Sequence, residues 1–85
     1  PFNPKTIIEF NLGDDPVIVT LKVYNMLGQE VATLLNEEEM DGGEQAVDFD
    51  ATSLASGIYL YRIYAKGIGE DSPYYQESKK MMLMR

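Results

Sequence analysis

GIYLYRIY, residues 57–64, is the longest stretch of the sequence that is rich in β-branched and aromatic residues. Residues of these types fit a pleated, half-buried surface, and a glycine opens the stretch sharply. We therefore predict a central β-strand over residues 57–65. Alternate side chains of a strand point to opposite faces. Tyr59 and Tyr61 belong to the better inward-facing set, because the alternate set contains Arg62.

Outward from this strand, short segments with period-two alternation recur between clusters of turn residues. Residues 30–35 suit either a strand or a short helix, and a tight turn at Gly28 favours the strand because such a turn closes a hairpin. Residues 36–43 predict an acidic loop, and residues 50–56 predict a crossing loop with at most one helical turn. The predicted strands cover residues 6–12, 17–25, 30–35, 44–50, 57–65 and 74–84.

This pattern of short strands predicts an all-β fold, an immunoglobulin-like antiparallel β-sandwich of about seven short strands. The 85 residues are enough for one domain with a modest core. We expect residues 1–4, PFNP, to be an extended, proline-pinned linker and residues 5–85 to be the single β-sandwich domain. Since Pro1 is not a native start, we also expect the chain to be part of a larger protein.

The composition excludes several classes of function. The chain has no cysteine and no histidine, so it has neither a thiolate nucleophile nor the commonest general base and metal ligand. Its serines therefore have no histidine to activate them, and we predict neither an enzyme nor a cofactor. The net charge of −7 argues against nucleic-acid binding. No stretch approaches the roughly 20 apolar residues of a membrane-spanning helix.

Two features of the sequence could form binding sites, one for calcium and one for sugars, but simpler interpretations explain both. Five acids could supply oxygen ligands to calcium, but their spacing does not match an EF-hand, and the adjacent glycines favour a flexible turn. They are Glu37, Glu38, Glu39, Asp41 and Glu44. Exposed tyrosines could form a platform on which sugars stack. Cross-strand packing explains the tyrosines better, because aromatic pairs ordinarily stabilise sheets. The platform would consist of Tyr64, Tyr74 and Tyr75.

The last residues of the chain combine a lysine pair with an unbroken apolar run. We call residues 79–85, KKMMLMR, the tail segment. Terminal residues usually fray, so an apolar terminal segment either pairs into a sheet or is kept for a partner. A strand at this position would provide an extended apolar edge to which a partner could add a strand of its own.

Five short motifs occur along the chain in this order: PFNP (1–4), VTLKVYNMLGQEVATL (19–34), FDA (49–51), LASGIYLYR (54–62) and KKM (79–81). Together they resemble the type A C-terminal sorting domain of the type IX (Por) secretion system. The immunoglobulin-like domain of the flagellar hook-cap protein has a motif similar to LGQEV (27–31) and is structurally related to that family. The lysine-led apolar tail segment separates the two.

This resemblance implies that the chain is a sorting signal for a large cargo covalently attached at its N-terminal side. The expected partners are the outer-membrane translocon, the shuttle and the sortase of the secretion system, and the sortase commonly removes the domain. The expected destination is the cell surface or extracellular space of a Gram-negative bacterium, reached through the periplasm. Gly28 and Gly57 match turn glycines of the family, and together with Tyr59 and Tyr61 we interpret them as structural. The recognition residues implied by position are Lys79, Lys80, Met81, Met82, Leu83, Met84 and Arg85.

A second hypothesis remains open from the residues alone. An immunoglobulin-like spacer, or an accessory module that binds carbohydrate, would have the same strand pattern and no signal. The position of the domain in the whole protein discriminates between the two, because a sorting domain lies behind its cargo whereas a spacer can be internal.

Overall fold

Six β-strands make up the regular structure of the chain, and the described residues contain no helix. The structure is a computed structural model, and it describes residues 5–68 and 74–84. In chain order the strands are β1 (Lys5–Asn11), β2 (Val17–Tyr24), β3 (Glu30–Met40), β4 (Glu44–Asp50), β5 (Gly57–Gly67) and β6 (Tyr74–Leu83).

The strands form two antiparallel sheets. β1 pairs with β4 in the smaller sheet, and the larger sheet has the order β3-β2-β5-β6. Both sheets contribute to one hydrophobic core, in which Ile8 and Phe49 of the smaller sheet join Leu21 and Ile63 of the larger one. The predicted all-β antiparallel sandwich is confirmed, with six strands among the described residues where about seven were expected.

The centre of the core lies along β2 and β5, whose inward residues stand opposite one another. Leu21 pairs in register with Ile63, and Val23 pairs with Tyr61. Leu21 and Val23 have no exposed surface, and Ile63 is 1% exposed. Burying a side chain of this size contributes about 1.5–3 kcal/mol. This pair of strands therefore supplies a large share of the free energy of folding.

The stretch predicted as the central strand is β5, which has β2 on one side and β6 on the other. Tyr59 is buried and Tyr61 is half-buried, and both pack against the core as the alternation predicted. The hydroxyl of Tyr59 donates a 2.8 Å hydrogen bond to the carbonyl of Ala55. This bond ties the preceding loop to the strand, which begins at Gly57.

The acidic loop predicted over residues 36–43 is wrong for most of its length, because β3 continues to Met40. β3 has 11 residues against the 8 of β2, and three register shifts absorb the difference. At one of them Glu37 has a φ of 50°, and its N–H donates a hydrogen bond to Thr20 Oγ1 at 3.2 Å. Bulges of this kind break the period-two pattern, so the sequence lacked the alternation that marks a strand. The choice of strand over helix for residues 30–35 is confirmed.

Other predicted boundaries differ by one or two residues, and two loops need separate mention. Residues 50–56 contain a turn closed by the N–H of Leu54 on the carbonyl of Ala51, and not a helical turn. β5 runs on to Gly67, two residues beyond the predicted end of the strand at residue 65, so the loop after it starts later than expected. The predicted linker over residues 1–4 lies outside the described residues.

The hairpin between β2 and β3 is closed by Asn25. Its Oδ1 accepts hydrogen bonds from the N–H groups of Leu27 at 2.9 Å and Gln29 at 3.0 Å. Gly28 follows with a φ of 83°, a left-handed conformation that favours glycine. The turn predicted at Gly28 is therefore stabilised by the side chain of Asn25, which accepts backbone hydrogen bonds as a carbonyl group does in a backbone turn.

The β1–β2 and β3–β4 turns touch each other at one end of the sandwich. The N–H of Gly43 donates to the carbonyl of Gly13 at 2.6 Å, and the N–H of Leu12 donates to the carbonyl of Gly43 at 2.9 Å. A Cβ on Gly42 would lie 2.6 Å from the Gly13 carbonyl oxygen and 2.7 Å from the backbone of Asp14. Only glycine therefore permits this approach.

We predict that Gly42→Ala lowers the free energy of unfolding by about 1–3 kcal/mol, because the methyl group overlaps rigid backbone. Urea unfolding followed by circular dichroism measures the change. Gly28→Asn is the control: nothing lies within 4 Å of its Cβ position, and asparagine tolerates the left-handed conformation. Equal losses for the two variants would contradict the steric argument.

We predict that Tyr59→Phe and Tyr61→Phe differ in stability although they remove the same atom. Tyr59→Phe loses the hydrogen bond to Ala55, at a cost of about 0.5–1.5 kcal/mol. Within the described residues the Tyr61 hydroxyl has no hydrogen-bond partner, so Tyr61→Phe should change stability by less than about 0.5 kcal/mol. Chemical unfolding of the two variants side by side tests the difference.

Candidate functional site

The tail segment enters the larger sheet as the end of β6. β6 has 10 residues and pairs with β5 from Lys66↔Tyr74 to Gly57↔Leu83 without a register shift. On its other side β6 has no neighbour among the described residues, so it is an edge strand. The tail segment is therefore docked on the domain by a ladder of backbone hydrogen bonds, and it keeps one free edge.

Alternation divides the tail segment between two faces. Leu83 is buried in the core at 6% exposure, and Met81 packs against the core. On the opposite face Lys80 is exposed, and Met82 is 64% exposed. Met84, just after β6, is 65% exposed. Lys79 is exposed as well, and Arg85 lies outside the described residues.

The exposed face of β6 continues onto β5 as an apolar patch. Ile58, which is 40% exposed, lies directly across from Met82. Leu60 is half-buried and lies across from Lys80. One pair further, Arg62 Nε donates a 3.2 Å hydrogen bond to Ser78 Oγ. We call Ile58, Leu60, Lys80 and Met82 the outer patch.

Basic side chains gather on this outer face, although the chain as a whole carries a net charge of −7. Lys22 forms an ion pair with Glu30 at 3.0 Å. The hydrogen bond to Glu30 raises the pKa of Lys22 above its usual value, and bonds from Thr33 and Lys22 lower the pKa of Glu30. The guanidinium of Arg62 lies 5.4 Å from the centre of the Tyr24 ring.

Lys80 differs from these partnered cations. Within the described residues its side chain forms no ion pair and no hydrogen bond, and that side chain is exposed. It stands between the apolar pair Ile58–Met82 and the Arg62–Ser78 hydrogen bond. The outer patch therefore combines three apolar side chains with one positive charge that has no partner among the described residues.

The inward side of β6 carries a polar row before it reaches the core. The hydroxyl of Tyr75 donates a 2.7 Å hydrogen bond to Glu77, and Lys79 Nζ lies 3.4 Å from the same carboxylate. The Tyr75 bond, assisted by Lys79, holds the pKa of Glu77 below its usual value. The same bond raises the pKa of Tyr75. Three alternate residues thus fix the first half of β6 ahead of its buried end.

Other candidate chemistry is sparse in the described residues. They contain no cluster of three or more histidine, cysteine, aspartate or glutamate residues that could hold a metal ion. They also contain no helix with the length and apolarity needed to cross a membrane. Of the tyrosines proposed for a sugar platform, Tyr64 is half-buried and Tyr75 is exposed with its hydroxyl on Glu77. The side chain of Tyr74 lies outside the described part of the chain.

Sequence reasoning found the tail segment but missed the outer patch. The patch joins Ile58 and Leu60 to residues at least 20 positions away, and only the β5–β6 register brings them together. A signal was present in the sequence. Both residues belong to the alternate set of the central strand, the set not chosen as inward.

A family model described as the secretion system C-terminal sorting domain matches residues 1–70 of the chain. The chain belongs to this family. It is a sorting signal for type IX secretion, a role that is typically non-catalytic. No curated protein sequence and no solved structure matches the chain.

Family membership defines what the domain interacts with in general terms. A type IX sorting domain interacts with the type IX secretion machinery, is attached to an N-terminal cargo, and directs export to the cell surface or extracellular space. The matched region includes β1 to β5 and stops at residue 70, before β6 begins at Tyr74.

We predict that Tyr75→Phe raises the pKa of Glu77 towards the ordinary glutamate value of 4.5, because it removes the largest contribution to the shift. A lowered pKa stabilises the folded domain above pH 4.5, and that stability is lost as the pH falls through the lowered pKa. The variant should therefore lose less stability on acidification. Carboxyl chemical shifts in an NMR pH titration measure the pKa directly.

Asp50 is the internal control for that titration. Its pKa is lowered by hydrogen bonds from the side chain and the backbone N–H of Thr52. Asp50 is the last residue of β4, which belongs to the smaller sheet. The pKa of Asp50 should be unchanged in Tyr75→Phe. A matching rise at Asp50 would indicate a general structural change and contradict the local explanation.

Proposed function

We propose that the domain directs a large cargo across the outer membrane by presenting its tail segment to the secretion machinery. The recognition surface is the exposed part of the tail, and the outer-membrane translocon and the shuttle are the partners that read it. A surface sortase then removes the domain. Family membership supports the export role, and the exposure of Lys80, Met82 and Met84 at a sheet edge supports the choice of surface.

The tail residues divide this work between them. Leu83 and Met81 pack against the core and hold β6 extended. Lys79, Lys80, Met82 and Met84 face solvent and are available for contact. The machinery therefore reads a side-chain sequence on a strand whose backbone is already ordered, which lowers the entropy lost on binding. The full recognition set comprises Lys79, Lys80, Met81, Met82, Leu83, Met84 and Arg85.

The rest of the chain serves as scaffold in this proposal. Residues 1–4 link the domain to its cargo, and residues 5–85 act as one non-catalytic unit. Gly28, Gly57, Tyr59 and Tyr61 maintain its turns and core. The five sequence motifs support assignment of the domain to the type A subtype and a Gram-negative host. They also support a structural relation to the immunoglobulin-like domain of the flagellar hook-cap protein.

We predict that deleting residues 79–85 from a fusion of a reporter to this domain leaves the reporter in the periplasm. Immunoblots of periplasm, cell surface and medium measure the distribution. Because the deletion also removes Leu83 from the core, circular dichroism of the truncated domain is the control for folding. Full export of the truncated fusion would contradict the proposed role of the tail segment.

A sharper variant replaces only exposed tail residues. Met82→Ser with Met84→Ser changes side chains that are 64% and 65% exposed, so stability should change by less than about 0.5 kcal/mol each. Export should nevertheless fall. The matched control is Ile7→Ser with Leu27→Ser, at 58% and 84% exposure and away from β6. Equal export of the two double variants would contradict recognition through the tail.

A further inference from the structure

The two edges of the larger sheet differ in how open they are to another strand. β3 forms one edge, and its three register shifts and the positive φ of Glu37 break the regular ladder. Its exposed residues at this point are Asn36, Glu37, Glu38 and Glu39. Bulges and charges of this kind prevent a strand edge from pairing with other chains. The β3 edge is therefore blocked.

The β6 edge has no bulge, and its charged residues are Glu77, Lys79 and Lys80. Its 10 residues pair with β5 in unbroken register, and the stretch contains no proline. In an antiparallel ladder, alternate residues direct both the N–H and the C=O away from the paired strand. β6 therefore presents a regular row of free backbone donors and acceptors, to which the described residues supply no neighbour.

We propose that the free edge of β6 accepts an antiparallel strand from a protein of the secretion machinery. The incoming strand places an apolar side chain opposite Met82 and a carboxylate opposite Lys80. Because the strands are antiparallel, its pattern from N- to C-terminus is apolar, any residue, acidic. The mode of binding is strand addition, in which the backbone supplies affinity and alternate side chains supply specificity.

The charges of β6 select this partner over a second copy of the domain. When two edge strands join in one antiparallel sheet, directly opposed side chains lie on the same face. A second β6 would bring Gln76, Ser78, Lys80 and Met82 to the outer face, and none of these is a carboxylate. Glu77 lies on the opposite face, where it accepts the Tyr75 hydroxyl. Lys80 would stay unpaired in such a dimer.

The test uses the purified chain and a synthetic peptide, acetyl-Thr-Val-Thr-Val-Thr-Glu-Thr-Glu-Thr-amide. Hydrogen exchange followed by NMR should show that the peptide protects every second amide of β6, namely those not already bonded to β5. Two further peptides of the same sequence carry N-methyl groups on alternate residues, one at the odd-numbered positions and the other at the even-numbered positions. One of the two methylation patterns should abolish binding and the other should preserve it, because only one set of peptide amides faces the domain.

Lys80→Glu should weaken binding of the peptide at least about tenfold, since it replaces attraction by repulsion opposite the acidic residue. Lys66→Glu is the matched control, because Lys66 is exposed and lies opposite Tyr74 at the far end of β6. It changes the net charge equally and should leave the affinity within about twofold. Amide spectra of both variants verify that the fold is retained.

Several outcomes would overturn the proposal. They are equal binding of the two N-methylated peptides, equal weakening by Lys80→Glu and Lys66→Glu, absence of binding at millimolar peptide, and protection of β6 amides by self-association alone. The inference rests on the proposed function for its partner, yet the two fail separately. If export still depends on residues 79–85 and the peptide does not bind the edge, only strand addition is overturned.

Discussion

The pairing of β2 with β5 is the constraint on which the rest of the structure depends. Leu21 and Ile63 face each other across these strands in the middle of the core, and both are almost completely buried. Once β5 is fixed on β2, its second edge is the template on which β6 docks, and the smaller sheet closes the core with Ile8 and Phe49. A loss of packing between β2 and β5 would therefore also weaken the docking of the tail segment, because β6 pairs with β5.

The sequence predicts the strands whose burial follows period two. From Ile18 onward β2 alternates between half-buried and buried residues, and β4 alternates between exposed residues and less exposed ones. In β5 the buried residues are Tyr59, Ile63 and Ala65, which all lie on one face. The bounds of these three strands agree with expectation to within two residues. β3 could be predicted only in its first half. Beyond Leu35 its side chains lie on an exposed sheet edge, so acidic residues replace the apolar ones, and the bulge at Glu37 shifts the period. Propensity and alternation therefore carry no information about that segment.

The candidate site was predictable in sequence but not in three dimensions. A lysine pair followed by four apolar residues identifies the tail segment, and its two faces follow from alternation. Which face is buried depends on pairing with β5, because Leu83 reaches the core through its register with Gly57. The contribution of Ile58 is likewise a consequence of register. A one-residue slip would exchange the two faces, so the alternation within each strand does not by itself determine which residues of β5 and β6 meet in the outer patch.

The docking of β6 links folding to the proposed recognition of the tail segment. A free tail segment of this composition would sample many conformations, and ordering each residue on binding would cost about 1–2 kcal/mol of backbone entropy. In the folded domain that ordering has already occurred, because Met81 and Leu83 are held against the core and the Tyr75–Glu77–Lys79 row fixes the preceding residues. The exposed side chains of the tail are then presented at fixed spacing along one strand. An unfolded domain would carry the same residues without that spacing, so the proposed recognition of the tail segment requires the folded sandwich.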